Sequence, residues 1–173
     1  MTKARRIGAL LLALGVGATL AGCSGQPGAA AVVDGRAIPA SDVREVMTEL
    51  GAYFQGATTP NVITVLAQEP TVVDVAAEHG VGVSEQDAAK LLDQAVAASG
   101  SKETPTFSDA SMAVARYSVA YTNITGLADD AVTSELADRL AKLDVTVNPR
   151  FGSNGEGSAV ADPKPFPWLV VEK

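Results

Sequence analysis

The chain has 173 residues, a formal net charge of −7, one cysteine and one histidine. Its length is typical of one domain, and its acidic balance argues against nucleic acid as a partner and against lying flat on anionic lipid. A single cysteine excludes a disulfide within these residues, and a single histidine excludes a multi-histidine metal site.

The first residues have the three zones of a secretory signal peptide. Lys3, Arg5 and Arg6 precede an apolar run over residues 7–19, which is shorter than the roughly 20 residues that a spanning helix needs. Leu20-Ala21-Gly22-Cys23 follows and resembles the lipobox of bacterial lipoproteins, whose cysteine thiol is lipidated. We therefore expect cleavage before Cys23 and a lipid anchor at the extracytoplasmic face of the cell membrane. The alternative is an ordinary signal peptide with a chance cysteine.

The expected processing divides the chain into a signal peptide, residues 1–22, and a mature protein. Loss of three positive charges with the signal peptide takes the net charge from −7 to −10. Residues 23–30 are small and flexible and are predicted to form a tether.

The mature domain opens with two β-prone pieces over residues 31–38. Asp34-Gly35 between them favours a two-residue hairpin turn, because both central positions tolerate positive φ. Ser41 is the predicted N-cap of the first helix, whose apolar stripe extends from Val43 to Phe54 at helical spacing.

Four more helices are predicted along the chain. Asn61 is the predicted cap of the second, in which Pro70 predicts a kink, at a cost of about 3 kcal/mol if nothing relieves it. Two separate helices are the alternative at this point. Ser84 and Ser108 are the predicted caps of the third and fourth helices, and residues 127–143 form the fifth.

The C-terminal part changes character. Residues 144–148 alternate at period two, as a strand does, and this strand is expected to pair with segment 31–38. Residues 153–165 are rich in Gly, Ser, Asp and Pro and predict a loop, after which the apolar segment 166–171 could dock on the core. The predicted fold class is therefore mainly α, with about five helices and a small β-sheet formed by the N- and C-terminal segments.

No catalytic, metal or cofactor site is predicted. His79 stands at a predicted helix C-terminus, where a cationic or hydrogen-bonding side chain suits the exposed carbonyls. The chain contains no Gly-x-Ser-x-Gly elbow, and the glycine-rich stretch 152–157 lacks the lysine of a phosphate loop. The acidic pairs Asp129-Asp130 and Glu85/Asp87 stand at predicted helix starts, where negative charge favours the macrodipole.

Three segments carry a resemblance to a known family. Residues 31–43 resemble the opening of SurA-type periplasmic chaperones, with Asp34 in place of the usual Asn of the turn. Residues 80–87 are similar to the family's junction before its third helix, and residues 145–152 look like the closing strand of actinobacterial lipoproteins with this domain. The resemblance implies a SurA N-terminal-domain-like helical domain over residues 31–152.

The resemblance stops short of the whole family pattern. SurA-type proteins usually carry a parvulin-type prolyl isomerase domain, whereas residues 153–173 are a short tail and the histidines of a parvulin site are missing. What it implies is an ATP-independent, chaperone-like protein that binds unfolded or nascent exported proteins, with no cofactor. A peptidyl-prolyl isomerase is disfavoured, and a non-catalytic interaction module for a dedicated cell-envelope partner is the alternative.

Client binding of this kind requires an exposed apolar patch. The candidate residues share a large aromatic side chain: Tyr53, Phe54, Tyr117, Tyr121 and Trp168. The competing interpretation is that these aromatics belong to the core, as helical aromatics more often do.

Overall fold

The computed structural model describes residues 26–54, 56–102 and 104–165. The predicted signal peptide, the lipid-attachment residue Cys23, the aromatic residue Trp168 and the apolar segment 166–171 lie outside these ranges. Within them, no helix is both long enough and apolar enough to cross a membrane.

The described chain is mainly helical with a small antiparallel sheet, as predicted. Its elements in chain order are β1 (Ala29–Val33), β2 (Arg36–Pro39), α1 (Ala40–Leu50), α2 (Thr59–Glu78), α3 (Glu85–Ala98), α4 (Asp109–Gly126), α5 (Asp130–Ala141), β3 (Val145–Val147), β4 (Ser153–Asn154) and β5 (Val160–Ala161).

The sheet brings the two ends of the domain together in the order β2-β1-β3, with both pairs antiparallel. Asp34 and Gly35 join β1 to β2 with φ of 48° and 81°, the positive values that a two-residue hairpin turn requires. On the other side of β1, Asp34 N–H donates to the Asp144 carbonyl (3.0 Å) and Asn148 N–H donates to the Ala30 carbonyl (2.9 Å). The predicted hairpin and the predicted pairing of strand 144–148 with segment 31–38 are both confirmed.

The start of β1 corrects the predicted tether. Ala29 and Ala30 were placed in residues 23–30, yet both are strand residues with exposed fractions of 6% and 0%. Their small side chains pack in the interior of the domain, so the sequence composition that suggested flexibility reflects close packing instead.

Helix starts agree with the sequence at two positions and differ at two. Ser84 forms a capping box with Asp87, and Ser108 caps α4, as predicted. α1 begins directly after Pro39 with no side-chain cap, so Ser41 is a helical residue. α2 is capped by Thr58, whose hydroxyl accepts from the Asn61 N–H (3.4 Å).

α5 is shorter than the predicted helix over residues 127–143. It spans Asp130–Ala141, and the Asp129 side chain caps it by accepting from the Ala131 N–H (2.8 Å). Ala128 has a positive φ of 50°, which separates α4 from α5.

α2 is one continuous helix through Pro70. The alternative prediction of two separate helices at this point is therefore wrong. Proline has no N–H, which leaves the carbonyl of Leu66, four residues earlier, without its helical donor. Arg36 supplies the missing bond from β2: its Nη2 donates to the Leu66 carbonyl at 3.2 Å.

The interior consists of two apolar clusters that share α2 and α4. The first holds the sheet, α1, part of α3, α2 as far as Ala67 and α4 as far as Ala115. The second begins at Val72 in α2 and Ala120 in α4 and is completed by α5. Between the two clusters along these helices lie the polar residues Gln68, Glu69 and Thr71 of α2 and Arg116 and Ser118 of α4.

Residues 153–165 contain a short hairpin, so the predicted loop is wrong there. β4 pairs with β5, and Val160, only 7% exposed, joins the first cluster. Its N–H donates to the Thr64 hydroxyl at 2.9 Å, which ties the hairpin to α2. Gly152, directly before β4, allows the two strands to approach closely, because a Cβ at this position would lie 2.5 Å from Val160 Cγ1.

Candidate functional site

Two of the predicted client-binding residues have structural contacts at the end of α1. Tyr53 meets Phe107 edge-on, with ring centroids 6.5 Å apart. Phe54 packs against the first apolar cluster. Both are half-buried, so they offer little apolar surface to a partner.

Tyr117 and Tyr121 stack on each other along α4, with centroids 5.9 Å apart and ring planes 11° from parallel. The Tyr117 hydroxyl donates to Gln68 Oε1 at 3.1 Å, and burial together with the neighbouring Tyr121 raises its pKa. Tyr121 is 44% exposed and Leu127 39%, the two exposed large hydrophobic side chains among the described residues.

The five predicted aromatics therefore do not form one described surface. Tyr53 and Phe54 belong to one region and Tyr117 and Tyr121 to another, while Trp168 lies outside the described residues.

The polar boundary between the two clusters is organised by Arg116. Its Nε donates to Glu69 and its Nη1 to Glu85, both at 2.8 Å. Burial alone would lower the pKa of this guanidinium, but the bonds and charges of the two carboxylates outweigh burial and raise the pKa. On the same boundary, Gln68 Nε2 donates to the hydroxyl of the buried Ser158 at 2.9 Å.

A pocket of about 220 Å³ opens beside this boundary, between β2, α2 and the first half of α4. We call it the β2 slot. It is lined by all four residues of β2 and by Asp42, Leu66, Glu69, Asp109, Ala110, Ala113 and Arg116. Ile38, Leu66 and Ala110 are buried and apolar, whereas the remaining lining is mostly charged.

The free edge of β2 faces outward beside the slot. The main-chain groups of Ala30 and Asp34 bond toward β3, and alternate residues of a strand point the same way, so Val32 also points toward β3. Ala37 is the partner of Val32 in the β1–β2 register. The N–H and C=O of Ala37 therefore point away from β1, and no described residue pairs with them.

The charges around the slot differ in whether they are compensated. Arg116 is paired with two carboxylates, whereas Arg36 bonds the neutral Leu66 carbonyl and keeps its positive charge. Asp42 accepts a bond from the Ser41 hydroxyl at 3.0 Å, and among the described residues neither Asp42 nor Asp109 has an ion-pair partner. The three carboxylates of the lining (Asp42, Glu69 and Asp109) outnumber its two guanidinium groups (Arg36 and Arg116), so the slot lining carries a net charge of −1.

His79 lies at the C-terminal end of α2, the position predicted for it. Its Nε2 is 3.0 Å from Glu135 Oε2, and Arg139 bonds both Glu135 and Glu78. The bond from His79 and then those from Arg139 lower the pKa of the Glu135 carboxyl. This group links α2 to α5, so the contacts of His79 are those of a structural side chain.

Among the described residues, no three acidic, histidine or cysteine side chains come together in a group that could hold a metal ion. Comparison with protein-family models, with curated proteins and with solved structures finds no significant match for this chain.

Sequence reasoning missed the β2 slot. Arg36, Ala37 and Asp42 lie in the segment used for the family resemblance, but their sequence gives no sign that Asp109 lies across a gap from them. The signal that the sequence did contain is the predicted hairpin: a four-residue strand after a hairpin turn pairs with the first strand on one side and can have an unpaired edge on the other.

Proposed function

We propose that the chain is a lipid-anchored, non-catalytic binding protein at the extracytoplasmic face of the cell membrane, whose helical domain docks a dedicated partner of the cell envelope. The signal-peptide pattern and Cys23 support the location. The observation that carries the docking proposal is that only Tyr121 and Leu127 expose large hydrophobic side chains among the described residues. A protein that captures unfolded chains in general needs a larger apolar patch.

A chaperone-like protein of the SurA type is the second candidate. The family resemblance of residues 31–43, 80–87 and 145–152 favours it, and the mainly helical fold with a sheet joining both ends is compatible with it. On this view the protein binds unfolded or nascent exported proteins without ATP. A peptidyl-prolyl isomerase stays disfavoured, since His79 is bonded to Glu135 in a surface ion cluster.

The first experiment separates these functions by photo-crosslinking in intact cells that make the processed, lipidated protein. One variant carries a photo-reactive residue at position 121, and a control variant carries the same residue at the exposed position of Asp138. The docking proposal expects one dominant product that depends on position 121. A broad smear of products, together with slowed aggregation of a reduced secreted protein, would favour the chaperone.

The anchor and the isomerase are tested beside it. Cys23→Ser is expected to release the protein from the membrane fraction. Prolyl isomerisation of a test peptide is expected to proceed at the uncatalysed rate with both the native protein and His79→Ala. Catalysis that is lost in His79→Ala would overturn the non-catalytic proposal.

A further inference from the structure

We propose that the β2 slot binds an extended polypeptide segment that carries a lysine or arginine side chain. The inference rests on the proposed function as a binding protein and names the chemistry of the segment that its partner presents.

The first support is the main chain of Ala37, whose N–H and C=O no described residue pairs with. An extended peptide beside β2 gains two hydrogen bonds there, one to the N–H and one to the C=O, as in recognition by strand addition. The free edge is short and ends at Pro39, which has no N–H. Such an edge resists uncontrolled pairing with other chains, so side-chain recognition has to supply the specificity.

The second support is the size and lining of the slot. Its volume of about 220 Å³ is below the range of about 300–1,000 Å³ that is typical of small-molecule pockets, and it suits a single long side chain. The apolar residues Ile38, Leu66 and Ala110 can cover the aliphatic stem of a lysine or arginine, whose charged end stays near the polar rim.

The third support is charge. Arg116 is already paired with two carboxylates and Arg36 is held against the Leu66 carbonyl, whereas Asp42 and Asp109 have no ion-pair partner among the described residues and can pair with a cation. The chain as a whole is acidic, with a net charge of −7, and this favours the approach of a basic segment. A basic segment therefore fits the slot better than an acidic or a neutral one.

The test uses the processed protein and fluorescent decapeptides that alternate threonine and valine. One peptide carries a central lysine, a second carries glutamate there, and a third keeps lysine but has N-methylated main-chain positions. The lysine peptide is expected to bind best and to bind more weakly as salt rises. Equal binding of the lysine and glutamate peptides would overturn the proposal.

Matched variants locate the binding. The double variant Asp42→Asn, Asp109→Asn is expected to bind the lysine peptide about ten-fold more weakly or worse. The control variant Asp93→Asn, Asp138→Asn removes the same charge from exposed positions on α3 and α5 and is expected to bind like the native protein. Equal loss in both variants would show general attraction to an acidic protein and contradict a site in the slot.

Hydrogen exchange of single amides tests the main-chain contact. The Ala37 N–H is expected to exchange quickly in the free protein and slowly with the lysine peptide bound, and N-methylation should remove this protection. Slow exchange of Ala37 in the free protein would refute the unpaired edge. If position 121 crosslinks one partner in cells but no peptide binds, the slot inference fails while the proposed function stands.

Discussion

The continuity of α2 through Pro70 predicts a measurable coupling between two residues far apart in sequence. Arg36 donates to the Leu66 carbonyl that Pro70 leaves without a helical partner. Arg36→Met keeps most of the aliphatic stem and removes the donor. Pro70→Ala restores a main-chain N–H that can donate to Leu66 within the helix.

The expected magnitude follows from the burial of the carbonyl. Leu66 is 7% exposed, and an unsatisfied buried polar group costs about 1–3 kcal/mol. Because the slot beside it is open to water, we expect the lower end, so Arg36→Met should lower the free energy of unfolding by about 1 kcal/mol. In the Pro70→Ala background, Arg36→Met should lower the free energy of unfolding by only a few tenths of this amount, because the N–H of the new alanine then donates to the Leu66 carbonyl.

Urea denaturation followed by circular dichroism measures the four proteins of this cycle. With a slope of about 2 kcal/mol per molar urea, Arg36→Met should shift the midpoint by about 0.5 M in the native background. Arg44→Met is the control, since Arg44 Nε donates to a carbonyl of its own helix, and it should shift stability by less than about 0.5 kcal/mol in either background. An equal cost of Arg36→Met in both backgrounds would refute the reasoning.

Three further predictions concern other parts of the fold. Gly152→Ala should destabilise by about 1–3 kcal/mol, because the new Cβ meets a side chain and a carbonyl of the second hairpin, whereas Gly126→Ala, which meets nothing, should be neutral or stabilising by thermal melting. Burial raises the pKa of Glu49, but bonds from serines, including Ser108, outweigh it and lower the pKa. Its stabilising effect is therefore present above its ordinary pKa of 4.5 and lost as pH falls through the lowered value, so Glu49→Gln should flatten the acid limb of a stability–pH curve relative to the native protein. Ser84→Ala removes a capping box and should lower the free energy of unfolding by about 1 kcal/mol in urea.

Much of the fold could be predicted because its signals are local. The turn at Asp34-Gly35 and the caps at Ser84 and Ser108 depend on residues within three positions of each other. The pairing of strand 144–148 with the first strand was predicted from its alternation and from the family resemblance. Local chemistry and the global fold agree at these places.

The sequence-based predictions are wrong where a residue distant in sequence determines the local structure. A break at Pro70 is what local chemistry allows as the alternative, and α2 instead continues through Pro70, with Arg36, 30 positions away, bonding the Leu66 carbonyl that the proline leaves without its helical donor. The loop predicted for residues 153–165 contains a hairpin because Val160 has a place in the first cluster and Thr64 accepts its N–H. The β2 slot could not be predicted at all, since it is a gap between β2, α2 and α4, and periodicity indicates faces rather than the spaces between them.

Arg36 joins the stability of the fold to the chemistry of the slot. Its guanidinium supports α2 through the Leu66 carbonyl and also places a positive charge in the slot that a basic ligand has to tolerate. Arg36→Met should therefore act in opposite directions, with lower stability and tighter binding of a lysine peptide. Peptide binding is measured without urea, at a temperature where the variant is fully folded. If the variant then binds the lysine peptide more weakly as well as being less stable, Arg36 contacts the ligand directly, and the acceptor that it recognises would be the main chain of the bound segment.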